Sequence, residues 1–124
     1  MELPETVRQA VEEKGGMENL LLLIPDEEEL CRDAALHRAL ADPTRLKILS
    51  LLTSGTLCVC VIKEILGLAD SKLSYHFTIL KKAGLISSEQ QGNWVLYSLT
   101  ETGADAIHAA NPKISTENAC RCRK

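Results

Sequence analysis

No apolar run in this sequence approaches the roughly 18 residues that a membrane-spanning helix needs. The aliphatic stretch Leu20-Leu21-Leu22-Leu23-Ile24 is far too short, and the acids around it do not suit a secretion signal. Enzyme signatures are missing as well: there is no Cys-x-x-Cys beside a β-α-β pattern, no phosphate-cradling glycine loop and no His-Glu-x-x-His. These absences argue against a membrane span, a small thiol reductase and a metal-dependent hydrolase. The chain is expected to be cytoplasmic, to be no enzyme and to require no cofactor. An excess of positive charge is absent too, since the formal net charge is −3. That total argues at first sight against nucleic acid.

Its distribution reverses the argument. Residues 1–35 hold 10 acids against 3 bases, whereas residues 36–124 hold 7 acids against 11 bases. Affinity for DNA depends on where cations sit rather than on the total, so the second part is a credible binder and the acidic arm must point away. At 124 residues, with 45% hydrophobic and 25% charged residues, the chain has the composition of a single small globular domain. A domain of this size buries only about two-thirds of its unfolded surface, so a second subunit would help it.

Taken in order, Pro4 to Lys14 predicts a short helix ended by Gly15-Gly16. A loose apolar segment follows over Leu20 to Ile24. Pro25-Asp26-Glu27-Glu28-Glu29 places proline and acids in the first turn of a helix running to about Leu40. An exposed aliphatic segment is costly in a small monomer, so residues 3–40 read partly as a subunit interface. Asp42 and Pro43 restart the chain as cap and first residue of a buried helix to about Thr53. Another helix is expected from roughly Cys58 to Leu66, ending at Gly67.

The stretch Asp70 to Gly84 then places Leu73, Phe77 and Leu80 on one apolar stripe and Ser71, Tyr75, Thr78 and Lys82 on the opposite face. Asp70 or Ser71 is the expected cap and Gly84 the expected stop. A small, polar, basic face suits the DNA major groove. Ser71, Lys72, Ser74, Tyr75 and Thr78 are the candidates to face bases, Lys81 and Lys82 to hold phosphates, and His76 to pack. Past Gly84 the period shifts to about two. Leu85 to Glu89 and Trp94 to Leu99 predict strands joined around Gln90-Gln91-Gly92-Asn93, and Thr100 to Ala110 a last helix capped by Thr100. The order describes a mainly α fold with a small β-hairpin, a winged helix-turn-helix with an N-terminal helical extension. Gln91 and Asn93 are the wing's candidate DNA contacts, although the tip lacks arginine and lysine and its grip on phosphate should be weak. The expected divisions are an acidic arm over 1–25, the winged domain over 26–111 and a flexible cysteine-containing tail over 112–124.

Leu40-Ala41-Asp42-Pro43-Thr44-Arg45-Leu46-Lys47-Ile48-Leu49, then Leu57-Cys58-Val59-Cys60, then Leu73-Ser74-Tyr75-His76-Phe77 with Leu80-Lys81-Lys82-Ala83-Gly84-Leu85-Ile86, resembles the ArsR/SmtB family of metal- and metalloid-responsive repressors. The resemblance covers about residues 30–110. It implies a homodimer built on the first and last helices, bound to a palindromic operator in double-stranded DNA and released by an inducer.

The five cysteines bear on the inducer. In a cytoplasmic chain, reduced ligands, sensors or core residues are expected rather than structural bridges. Cys58-Val59-Cys60 stands where the family's arsenic, antimony, cadmium and lead sensors carry Cys-Val-Cys. On a regular helix two thiols so spaced point about 200° apart, so they chelate one ion only where the helix is frayed or just starting. A helix start should also lower both thiol pKa values. Soft thiolates favour As(III), Sb(III), Cd(II) or Pb(II). The family's third cysteine, three residues on, is replaced by Lys63. Candidates for the missing ligand are Cys31, whose default reading is a buried core residue, and Cys120 and Cys122 in the tail. Of the family's zinc site on the last helix only His108 matches a ligand, with Asp105 one turn before it, too few for the usual four. The alternative reading is a redox-responsive repressor, switched by disulfide formation without metal.

Overall fold

The computed structural model describes residues 2–110. The chain divides into two compact units, the first ending at Asp33 and the second beginning at Ala34.

In the first unit α1 (Glu5–Glu13) is followed directly by α2 (Gly16–Leu21). The helix α2 is one the sequence reading does not predict, and it takes in Leu20 and Leu21 of the segment expected to be loose. Gly15 takes a left-handed φ of 97°, and the Asn19 side-chain amide donates to the Lys14 carbonyl at 2.6 Å, so one helix closes and the next opens within two residues. Leu22, Leu23 and Ile24 lie beyond its end and are exposed. The boundary between the units falls within α3 (Glu27–Leu40), which opens on Glu27, Glu28 and Glu29. There the Asp26 carboxylate accepts from the Glu29 amide at 2.9 Å. Cys31, expected to be a core residue, is exposed. It lies in the acidic first part of α3, whose buried residue, Ala39, comes only in the last turn.

The second unit is a winged helix-turn-helix. Its core begins with α4 (Pro43–Leu52), which turns Ile48, Leu49 and Leu52 fully inward. Each is worth roughly 1.5–3 kcal/mol of burial. A two-residue strand that periodicity does not announce, β1 (Leu57–Cys58), leads straight into α5 (Val59–Leu66). Then come α6 (Asp70–Lys82), the hairpin β2 (Ile86–Gln91) and β3 (Trp94–Leu99), and α7 (Glu101–Ala110). The sheet is antiparallel in the order β1-β3-β2, with Leu57 opposite Tyr97 and Gln91 opposite Trp94. A two-residue run is too short to show a period of two, which is why β1 escapes a reading of the sequence.

Capping divides between expectation and correction. Asp42 caps α4, accepting from the amides of Thr44 at 2.8 Å and Arg45 at 3.1 Å, and Thr100 Oγ1 accepts from the Gly103 amide at 3.0 Å. Neither Asp70 nor Ser71 caps α6. Ala69 occupies that position without a side-chain bond, and Asp70 is already helical, its carboxylate 2.9 Å from the Lys63 ammonium on α5. Gly84, at φ 77°, follows the end of α6 as the sequence predicts.

Burial tends to raise the Asp42 pKa, but the Arg45 and Thr44 amides and the charge of Arg45 outweigh it, so the group lies below its ordinary value. A depressed carboxylate pKa contributes stability that is fully present above the unfolded value, near 4, and is lost as pH falls through the folded one. Asp42→Ala is therefore expected to cost about 1 kcal/mol in denaturant melts near neutrality. That difference should shrink as melts are repeated below about pH 4; one that persists unchanged in acid would contradict this account of the cap.

Candidate functional site

The helix-turn-helix consists of α5, closed by the left-handed Gly67 (φ 64°), a short turn, and α6. Leu73, Phe77 and Leu80 are buried as their spacing predicts. Phe77 stacks on Tyr97 of β3 with ring centroids 4.2 Å apart, so the helix is seated on the wing as well as on the core. Burial also raises the Tyr97 pKa. On the other side Ser71, Lys72, Ser74, Tyr75, Thr78, Lys81 and Lys82 are exposed, Tyr75 with 61% of its surface free. Two of them are already engaged: Thr78 Oγ1 donates to the Ser74 carbonyl at 2.7 Å, and Lys81 Nζ donates to Ser88 Oγ on β2 at 2.6 Å. Gln91 and Asn93 are exposed at the wing tip on either side of Gly92, which takes φ 61°.

His76 lies on the buried side, 8% exposed, and its Nδ1 is 3.2 Å from Nη1 of Arg45. Arg45 is itself 9% exposed, and sequence reasoning missed it as more than a helical cation.

The two thiols converge at the start of α5. Cys58 is the cap residue, extended at φ −73° and ψ 145°, so the pair escapes the angular separation of a regular helix. Cys60 Sγ lies 2.8 Å from Cys58 Sγ and donates its hydrogen to it. The expectation that a helix start lowers both pKa values fails for one of them. The Cys60 thiol and the amides of Cys60 and Val61 hold Cys58 below the usual thiol value. Cys60 is pushed up, first by donating to Cys58 and then by burial and the adjoining negative charge. One proton shared between two sulfurs stabilises one thiolate at the expense of the other.

These thiols line a cleft of about 500 Å³ together with Lys63, Ser74 of α6, and Asn93 and Trp94 of the wing. Trp94 is 59% exposed, and nothing in its sequence context placed it there. Cys58 is also paired through its backbone register with Leu96 of β3. No group of three or more His, Cys, Asp or Glu side chains able to hold a metal ion is present among the described residues. Cys31 is exposed on α3 in the first unit, and Cys120 and Cys122 lie outside the described residues.

Residues 42–88, from the cap of α4 to the first half of the wing, match the family model described as bacterial regulatory protein, arsR family. An arsenical resistance operon repressor of Bacillus subtilis is 41% identical over 88 residues, covering 70% of this chain and 78% of that one. The chain belongs to the ArsR family. An HTH-type transcriptional regulator of Methanocaldococcus jannaschii is 39% identical over 75 residues, 60% of this chain and 84% of its own. Among solved structures, the homodimeric winged helix-turn-helix DNA-binding domain of a possible ArsR-family regulator from Mycobacterium bovis superposes with a TM-score of 0.65 at 27% identity, over 73% of this chain and 86% of that one. This ArsR-family chain is thus a winged-helix transcriptional repressor rather than an enzyme. No helix of its described residues is long and apolar enough to cross a membrane.

Proposed function

We propose that the chain is a cytoplasmic, homodimeric repressor that reads its operator with Ser71, Lys72, Ser74, Tyr75 and Thr78, steadied on phosphates by Lys81 and Lys82 and at the wing by Gln91 and Asn93. It leaves that operator when a soft metalloid or metal, As(III), Sb(III), Cd(II) or Pb(II), binds Cys58 and Cys60. The observation that carries the effector reading is the convergence of two thiols at 2.8 Å, one of them held toward thiolate, in a cleft shared with α6 and the wing. Thiolates are the donors such ions prefer. The relative from Bacillus subtilis named as an arsenical resistance operon repressor supports the same effector class. The pair supplies two donors and leaves a third to the chain's other thiols.

Coupling follows from the scaffold. The Cys58 backbone is laddered to β3, and Tyr97 of β3 is stacked on Phe77 of the recognition helix. A change in the conformation of residues 58–60 is therefore transmitted to both DNA-reading elements.

A second reading, disulfide formation without metal, is favoured by the lack of a three-donor group among the described residues. In it thiols among Cys58, Cys60, Cys120 and Cys122 oxidise to disulfides, each new S–S bond giving two electrons and two protons to a hydroperoxide, which is reduced to water and an alcohol.

One experiment separates the readings. The reduced protein is titrated onto duplex from its own upstream DNA at fixed salt, with arsenite, cadmium or a hydroperoxide added, and free thiols are counted. Arsenite or cadmium is expected to weaken binding by about 5–150-fold and to protect two thiols, with Cys58→Ser and Cys60→Ser still binding DNA but no longer responding. Release by the hydroperoxide alone, with both ions inert, overturns the metalloid reading in favour of the redox one.

A further inference from the structure

The buried side of the recognition helix is held by contacts of two kinds. Leu73, Phe77 and Leu80 supply apolar burial, which is strong but non-directional and tolerates small rotations and slides. His76 is the one buried polar residue of α6, and its hydrogen bond is directional. Its partner has no freedom of role: a guanidinium donates and never accepts, so Nδ1 of His76 is the acceptor and the imidazole hydrogen is on Nε2.

Arg45 is committed elsewhere at the same time. Nε donates to the Ala39 carbonyl at 2.7 Å and Nη2 to the Arg38 carbonyl at 3.2 Å, both in the last turn of α3, while Nη1 also lies 4.0 Å from the Asp42 carboxylate. One planar group therefore ties the end of α3, the first turn of α4 and the middle of α6 together. Beside it, α3 and α6 are separated by a cleft of about 350 Å³ lined by Ala35, Ala39, Ile79 and Ala83 with the cations. Three of the four uncharged residues there are alanines, so the directional contact spanning the two helices at that point is the guanidinium.

We propose that Arg45 is a positioning residue for operator recognition: through Nδ1 of His76 it sets the angle of α6 against α3, and specific binding requires an acceptor at that point. The claim rests on the reading of α6 as the recognition helix. Base readout needs side chains placed within about half an ångström, whereas phosphate attraction does not, so loss of the acceptor should degrade preference for the operator and spare general affinity for DNA.

The test uses the full chain and two duplexes, one from its own upstream DNA and one scrambled, at a single salt concentration. His76→Asn keeps an oxygen at the Nδ1 position, His76→Gln moves it outward, and His76→Phe removes it. His76→Asn is expected to bind the upstream duplex within about threefold of wild type. His76→Gln, His76→Phe and Arg45→Met should each lose about tenfold or more on it, with little change on the scrambled one. The double variant Arg45→Met/His76→Phe should be no worse than either single change. Equal upstream binding by His76→Asn and His76→Gln overturns the proposal even where His76→Phe or Arg45→Met fails to fold. Residual dipolar couplings on the DNA-free chain distinguish this failure from failure of the recognition reading. They should report a changed α3–α6 angle in His76→Gln and an unchanged one in His76→Asn. An angle that is the same in both variants overturns the proposal whatever the DNA measurements give.

Discussion

Replacing Tyr75 and Lys72 together by alanine is expected to abolish preference for the operator while leaving the chain folded and dimeric. Both side chains are exposed on α6, Tyr75 at 61%, and neither contributes to the core. The tyrosine ring meets His76 edge-on at 5.2 Å, a contact whose loss should cost little stability. In the proposed homodimer, with both side chains on bases, the change is doubled, so the expected effect on recognition is large. Four base contacts at about 1–3 kcal/mol each amount to the whole usual increment of specific over non-specific binding, about 4–10 kcal/mol. Fluorescence anisotropy on operator and scrambled duplexes, with a thermal melt as control, measures both halves of the expectation. Retained preference in the double variant would mean that another face of the molecule reads the bases.

The largest loss of stability is expected from the smallest change, Gly103→Ala. Helix propensity alone favours alanine over glycine by about 1 kcal/mol, so a sequence-level argument predicts stabilisation. The packing predicts the opposite. A Cβ on Gly103 would stand directly against the Leu85 carbonyl oxygen, with the carbonyl carbon at 2.9 Å and Leu85 Cα at 3.2 Å. These are backbone atoms of a fully buried residue, and they cannot swing aside as a side-chain tip would. The same carbonyl accepts from the Thr100 amide at 3.1 Å, and Thr100 Oγ1 donates to the Gly84 carbonyl at 2.6 Å, so the start of α7 is held to the turn after α6. Relieving the overlap means lifting α7 and breaking those bonds. Overpacking of this kind costs about 1–3 kcal/mol or more, which for a domain of this size lowers the melting temperature by roughly 10 °C. A variant as stable as wild type would show that α7 does not sit this close to the turn.

The same contrast runs through the candidate site. The exposed polar face of α6 was legible because a helix that buries one side must expose the other, and the period of Leu73, Phe77 and Leu80 states which. The thiol pair was legible as a pair, since Cys58 and Cys60 lie two residues apart at the start of a predicted helix. Their inequality was not, because it follows from which sulfur donates to which, and two residues with the same environment on paper become donor and acceptor only in three dimensions. Lys63 reads in the sequence as a lost third ligand; in the fold it is paired with Asp70 across the helix-turn-helix.

By itself the sequence determined the winged helix-turn-helix, the exposed polar face of α6, the caps at Asp42 and Thr100 and the place of the cysteine pair near a helix start. All are local, resting on periodicities, turn residues and spacings within a dozen positions. Only the tertiary structure decided that β1 joins the thiols to the wing and that Leu85 leaves no room for a side chain at position 103. It alone linked His76 to Arg45, 31 residues away. Those are contacts between segments far apart in the chain, set by directional bonds and close backbone approach, and no local pattern of side chains encodes them.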